Sequence, residues 1–256
     1  MNNSIIKFIG TGSGKTSLKR YHSSFLISHK GYNLLIDAGD GISKAILSQK
    51  ISFSSINGIL ITHLHPDHYS GLASLIVQMK LSGRINSLQI IIHKKLKKTV
   101  KNYLLSSYLF KERANFEFLI ETYEHNKIFR LNDSISFISK QNSHLNQYKN
   151  YSEGKELDFS CSSILFDLNK KNVLYTSDIG KKEDLYLFKN YKSDLIISEI
   201  THVSIEDVIE ISNDMKPERL YLTHISDEME HFLVQKKSFL KQHNIIAVVD
   251  GFTIKI

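Results

Sequence analysis

An apolar run, Ile59-Leu60-Ile61, stops abruptly in Thr62-His63-Leu64-His65-Pro66-Asp67-His68. A run of this kind reads as a buried strand, so three imidazoles and a carboxylate leave one strand end together. Neutral imidazole nitrogen and carboxylate oxygen are the ligands that zinc takes in hydrolytic sites. Their density favours a metal site over a solvated polar turn. Such a site needs a rigid sheet around it and further ligands from other strand ends. With 256 residues, 41% of them hydrophobic, the chain has enough apolar material for that core.

The apolar pattern predicts strands at Ile5 to Ile9, Ser23 to Ser28, Asn33 to Asp37, Gly58 to Thr62 and Leu88 to Ile92. Helices are expected at Ile42 to Gln49 and from about Ser70 to Lys80. In the second half, strands are expected at Ile135 to Lys140, Ser160 to Asp167, Val173 to Thr176, Asp194 to Ile197, Arg219 to Thr223 and Ile245 to Val249. Helices there fit Ile205 to Asn213 and Asp227 to Gln242. Pro occurs only at Pro66 and Pro217, and no low-complexity linker interrupts the chain. The expectation is one α/β domain spanning residues 1–256, with two sheets packed face to face and helices outside.

Three further ligand candidates close apolar runs. Asp178 follows Val173-Leu174-Tyr175-Thr176-Ser177, and His224 follows Leu220-Tyr221-Leu222-Thr223. His144 stands a short polar loop beyond the strand at Ile135 to Lys140, with His125 as its fallback. A strand end holds a side chain rigidly, as a preorganised site requires. Alone, each also reads as a satisfied polar residue at a turn. Beside the first cluster the ligand reading is the stronger.

Other features narrow the class. A single cysteine, Cys161, rules out an internal disulfide framework and fits a reducing compartment. The start, Met1-Asn2-Asn3-Ser4, lacks the basic and apolar regions of an export signal, and no stretch has the length of a membrane span. A cytoplasmic location is expected. The net charge of +7 invites a nucleic-acid reading. Its densest run, Lys94-Lys95-Leu96-Lys97-Lys98-Thr99-Val100-Lys101, also fits an amphipathic helix with a solvated lysine face. Gly12-Ser13-Gly14-Lys15-Thr16 suggests a phosphate loop, but Ile9 stands where the leading glycine belongs and no helix is expected to follow.

The ordered set His63, His65, Asp67, His68, His144, Asp178 and His224 resembles the metallo-β-lactamase fold superfamily. The resemblance implies a four-layer αββα sandwich carrying two Zn²⁺ ions, with Mn²⁺ or Fe²⁺ as alternatives. It implies His63, His65 and His144 on one ion, Asp67, His68 and His224 on the other, and Asp178 bridging. That bridging aspartate argues against β-lactam hydrolysis. Phe8-Ile9-Gly10-Thr11-Gly12-Ser13-Gly14, Ile197-Ser198-Glu199-Ile200-Thr201, His202-Val203-Ser204 and the closing Asp250-Gly251 resemble the ribonuclease Z branch. The long arm with which ribonuclease Z grips tRNA is absent, because His144 and Asp178 leave room only for a loop and a hairpin over Leu157 to Thr176. Arm-less relatives include anti-Pycsar-type enzymes that open cyclic nucleotides.

The implied chemistry is hydrolysis of a small phosphodiester, a cyclic nucleotide foremost, by a metal-bridging hydroxide. Asp67, His202 and Glu199 are its implied catalytic residues, with His202 the general acid and Glu199 orienting it. His202 also fits a helix-entry residue, and Glu199 a structural carboxylate. RNA is the second substrate class, and a homodimer without membrane association is implied by resemblance. The rivals are a tRNA 3′-processing endonuclease, a glyoxalase II-like thioester hydrolase and a non-catalytic module that sequesters nucleotides. Among the aromatics, Tyr21, Tyr69 and Tyr108 could stack on a base or simply pack, and Tyr69 alone adjoins the ligands.

Overall fold

The computed structural model describes residues 4–169 and 171–256. Met1 to Asn3, which carry most of the reading of the chain start, lie outside the described residues. Two compact units divide the chain. One runs to Tyr123 and is completed by Val249–Ile256, and the other is Glu124–Val248.

The first unit begins with three antiparallel strands, β1 (Ile5–Gly10), β2 (Ser24–His29) and β3 (Tyr32–Ile36). After helix α1 (Ile42–Ser48) come β4 (Gly58–Ile61), the single turn α2 (Pro66–Tyr69) and α3 (Leu72–Leu81). The unit continues with β5 (Leu88–His93), α4 (Lys97–Ser106) and β6 (Phe118–Tyr123). Strands β3 to β6 pair in parallel, and the last strand of the chain, Thr253–Lys255, adds antiparallel to β1. The parallel strands read as continuous apolar runs because both faces of such strands are covered. Ile59 and Ile61 of β4, with Ile90 and Ile92 of β5, pack against Leu72, Leu75, Ile76 and Met79 of α3. Leu96 and Val100 are buried while Lys97, Lys98 and Lys101 are exposed, so the lysine run is the solvated face of an amphipathic helix.

The second unit opens with the meander β7 (Ile128–Arg130), β8 (Ser136–Gln141) and β9 (Ser162–Asp167), followed by β10 (Asn172–Tyr175). Strands β11 (Leu195–Glu199), β12 (Arg219–Thr223) and β13 (Ile245–Ala247) then extend the sheet in parallel from β10. Helix α5 (Ile205–Met215) crosses from β11 to β12 and starts in a reciprocal capping box between Ser204 and Asp207. Helices α6 (Asp227–Gln235) and α7 (Lys237–Gln242) lead to β13. The sequence pattern predicts one helix there. The chain instead leaves the helical region at Lys236, where ψ is 5°, and α7 packs along β13. The closing strand of the first unit is β14 (Thr253–Lys255).

Each sheet is thus an antiparallel half joined to a parallel half, in orders β14-β1-β2-β3-β4-β5-β6 and β13-β12-β11-β10-β9-β8-β7. In open sheets with parallel strands, functional groups gather beyond the carboxyl ends. In the first unit those ends carry Asp37 and the His63–His68 turn. In the second, the neighbouring strands β10, β11 and β12 carry Asp178, Glu199 with His202, and His224. No helix among the described residues is long and apolar enough to cross a membrane.

One buried cation braces the first unit. Arg84 is 1% exposed, and its guanidinium donates to the carbonyls of Ile56 (2.7 Å), Asn86 (2.7 Å) and Ser87 (2.6 Å). Arg84→Met leaves those carbonyls without their charged donor, so a loss of about 3 kcal/mol is expected. Denaturant titration should show a lower midpoint at unchanged slope.

Candidate functional site

The extended segment after β4 alternates its side chains, which places His63 and His65 on one face of the chain. His65 then caps α2, with Pro66 at the first helical position where a missing N–H costs nothing. The single helical turn brings Asp67 and His68 back to the same place. Ring centroids of His63 lie 4.9 Å from His65 and 4.1 Å from His68, and His68 Nε2 is 3.4 Å from Asp67 Oδ2. The turn is clasped by the loop after β3. Ala38 N donates to His68 O (2.7 Å) and Gly71 N to Ala38 O (2.9 Å). A Cβ on Gly39 would lie 1.8 Å from Asp67 O, so only glycine admits this approach.

The keystone of the clasp is Asp37, fully buried just beyond β3. Its Oδ2 accepts from His68 Nδ1 (2.8 Å), and its Oδ1 accepts from Thr62 N (2.8 Å) and Thr62 Oγ1 (3.0 Å). Burial pushes the Asp37 carboxyl above its ordinary range, and His68 and Thr62 oppose that shift. With Nδ1 of His68 held by a carboxylate, Nε2 presents the lone pair.

The second unit holds the other expected ligands. His144 opens a 3₁₀ turn, His144–Tyr151, and is buried with Leu145. Asp178 Oδ2 stands 3.7 Å from His144 Nε2 and 3.3 Å from His224 Nε2. His224 Nδ1 is 3.1 Å from Thr201 Oγ1. Glu199, 1% exposed at the end of β11, accepts from the backbone N–H groups of Ile179 (3.2 Å), Thr201 (2.6 Å) and His202 (2.9 Å). It also meets His202 Nδ1 at 2.9 Å. The orienting contact between Glu199 and His202 is therefore present. Helix α5 is capped by Ser204, so His202 is not its cap. His125, the fallback for His144, bonds Ser162 Oγ at 2.9 Å.

Within each unit the arrangement fits a divalent metal. Imidazole ligands ordinarily commit their second nitrogen to an oxygen, which fixes tautomer and ring orientation. His68, His224 and His63 do so through Asp37, Thr201 and Thr62, the last at 3.1 Å. Ligand atoms about 2.0–2.2 Å from a tetrahedral ion stand roughly 3.3 Å apart. The His224–Asp178 and His68–Asp67 separations have that spacing. Residues in the left-handed region mark the same loops, with φ of 60° at Asp37, 53° at Ser177 and 56° at His224. Such backbone strain gathers at functional sites because the surrounding bonds enforce it.

Asp37 and the threonines Thr62 and Thr201 escape the sequence reading. The criterion that singles out Asp178, a carboxylate just beyond an apolar run, applies equally to Asp37. No helix follows Gly14, as the sequence leads one to expect, and Gly12 pairs with His22 rather than opening a phosphate loop. Asp250 fastens that loop, accepting from Thr11 Oγ1 (2.6 Å) and Tyr21 N (2.8 Å). Tyr69 packs against Tyr103, with ring centroids 5.2 Å apart.

The family described as anti-Pycsar protein Apyc1 matches residues 4–246. The chain belongs to that family. Ribonuclease Z of Methanococcus aeolicus is 26% identical over 295 aligned positions, covering 93% of this chain and 91% of the relative. The metallo-β-lactamase fold protein YhfI of Bacillus subtilis superposes with a TM-score of 0.79 at 15% identity, covering all of both chains. The short form of human tRNase Z gives 0.72 at 16% identity, covering 98% of each. The fold is that of the metallo-β-lactamases, and the chain is a metal-dependent hydrolase of the phosphodiesterase branch.

Asp37→Asn keeps the shape of the clasp and removes its charge. Divalent-metal affinity, read by competition with a chromogenic chelator, should fall about 10- to 100-fold, as expected for an outer partner of a ligand.

Proposed function

We propose that this protein is a dinuclear-zinc phosphodiesterase that opens a small phosphodiester, most simply a cyclic nucleotide. The observation that carries the reading is the Glu199–His202 pair beside Asp178 and His224. By the family resemblance, His63, His65 and His144 would hold one ion and Asp67, His68 and His224 the other, with Asp178 as the shared ligand. This assignment follows the family resemblance and is supported by the tautomer-fixing oxygens found separately in the two units. Two such ions would supply an activated water and charge neutralisation at phosphorus.

The chain's own groups do the rest. Glu199 accepts the Nδ1 proton of His202 and stabilises its protonated form, so Nε2 can donate a proton to the departing alkoxide oxygen. Three backbone N–H groups on the same carboxylate hold Glu199 fixed. The ring of His202 is stacked near His224, with centroids 5.7 Å apart, and its side chain is 33% exposed, so the acid stands beside the ligands and within reach of substrate.

Cleavage of a tRNA precursor is the second reading, favoured by the ribonuclease Z relative that spans 93% of the chain. Against it, the described residues between His144 and Asp178 form the 3₁₀ turn, a short loop and the β9–β10 hairpin, and among them there is no extended arm to hold a folded RNA. A homodimer remains the assembly implied by resemblance, and a single-domain subunit in a reducing, cytoplasmic compartment the expectation from the residue pattern and the single cysteine.

His202→Ala should retain bound metal yet lose turnover of a 3′,5′-cyclic nucleotide, whose leaving alkoxide needs a proton, by about 10²- to 10⁴-fold, the usual worth of a general acid. Unchanged turnover would remove His202 from the mechanism. Asp178→Ala should instead lower the metal content measured by elemental analysis, and full occupancy in that variant would contradict a bridging role.

A further inference from the structure

Beside His202, wholly within the second unit, lies an open cavity of about 430 Å³. It is lined by His144 and His202, whose ring centroids lie 4.8 Å apart, together with Ile179, Asn146, Gln147 and Lys181. Its shape is set by Asp184, which is 6% exposed. Asp184 Oδ2 accepts from Ser143 N (3.0 Å), Ser143 Oγ (2.6 Å) and Gly180 N (3.0 Å), fastening the loop that carries His144 to the loop that follows Asp178. A Cβ on Gly180 would fall 2.6 Å from Ser143 Oγ, so these loops meet only because that residue is glycine. Gln147 Nε2 donates to His144 O (3.2 Å), which ties the lining to the ligand-bearing turn. The cavity is therefore built in advance of any ligand.

We propose, resting on the phosphodiesterase reading, that this cavity seats the nucleoside of the leaving alkoxide, with the carboxamides of Asn146 and Gln147 reading the edge of its base. Three arguments converge. A general acid must stand at the oxygen it protonates, so whatever occupies the His202 side of the reacting phosphorus is the leaving group. The volume lies in the range of small-molecule pockets and far below what a folded RNA needs. The lining offers two carboxamides and one ammonium, and none of its residues is acidic. A carboxamide carries both a donor and an acceptor, which is what base edges present. A thioester acyl chain would instead need an apolar wall, and Ile179 is the one aliphatic side chain here.

The step balances as a hydrolysis. Water oxygen bonds to phosphorus, the bond from phosphorus to the leaving oxygen breaks, that oxygen takes a proton from His202 Nε2, and the proton released by the attacking water restores His202 through solvent. For a cyclic substrate the alkoxide stays tethered, so the product is a linear mononucleotide. Its base remains in the cavity until release.

The test is steady-state kinetics of the metal-loaded enzyme and of Asn146→Ala/Lys181→Ala on purine and pyrimidine 3′,5′-cyclic nucleotides, beside bis-p-nitrophenyl phosphate, which lacks a nucleoside. Both positions are exposed, and an unaltered thermal midpoint would verify folding. The KM for cyclic nucleotides should rise about tenfold or more while kcat changes far less, as expected for lost uniform binding. The ratio of kcat/KM for nucleotide over chromogenic diester should fall by about the same factor. Asn146→Gln should recover part of the ratio. An unchanged ratio overturns the subsite. Wild-type turnover of the chromogenic diester without any cyclic nucleotide overturns the subsite and leaves the phosphodiesterase reading standing. Turnover of neither substrate overturns both.

Discussion

A buried carboxylate that gathers neighbouring strand-end loops is the constraint on which each unit depends. In the first unit it is Asp37, which joins the end of β3 to the end of β4 through Thr62 and fixes His68 through Nδ1. In the second it is Glu199, which takes three backbone N–H groups and one imidazole. An ionised carboxylate out of water is costly unless its lone pairs are met, and here they are met by groups that must themselves be placed. The arrangement is therefore reciprocal. The loops satisfy the carboxylate, and the carboxylate holds the loops in conformations, including left-handed ones at Asp37 and His224, that they would not keep alone. Asp184 repeats the device on a smaller scale between Ser143 and Gly180.

Much of this was legible in the residue pattern, for a physical reason. Strands β4, β10, β11 and β12 are covered on both faces, so they appear as unbroken apolar runs, and the polar residue that ends each run is conspicuous. His63, Asp178 and His224 stand out this way. Strand β6 did not, because Phe118-Leu119-Ile120-Glu121-Thr122-Tyr123 mixes exposed and buried positions at the sheet's edge. Strand β7, Ile128–Arg130, is three residues with Ile128 exposed, too short to carry a period. Asp37 also ends an apolar run, but nothing in that run distinguishes a carboxylate that binds an imidazole from one that binds a metal. Thr62 and Thr201 give no signal at all, since a threonine beside an imidazole is visible only in three dimensions.

The short segment between His144 and Asp178 separates this chain's requirements from those of an enzyme working on folded RNA. Affinity for a large polyanion comes mostly from many distributed phosphate contacts. The densest run of basic residues is instead the outer face of α4, whose apolar side is committed to the core. A small substrate has no such reserve of remote contacts. Its orientation must come from a few groups near the reacting atoms, held rigidly enough to lose little on binding.

That requirement explains why rigidity is concentrated where it is. A loop bearing a general acid is useful only if the donor atom is within a hydrogen bond of the leaving oxygen when the phosphorus is in place. His202 sits three residues beyond a strand end, a position that would ordinarily be mobile. Here its backbone N–H and its Nδ1 both end on the same Glu199 carboxylate, so neither the chain nor the ring can swing independently. Replacing Glu199 by glutamine would leave a side chain of the same length that can still bond one partner, but without the charge that favours an imidazolium at 2.9 Å. A shift of the alkaline limb of the pH–rate profile to lower pH, with the fold intact, would then separate Glu199's electrostatic part from its structural one.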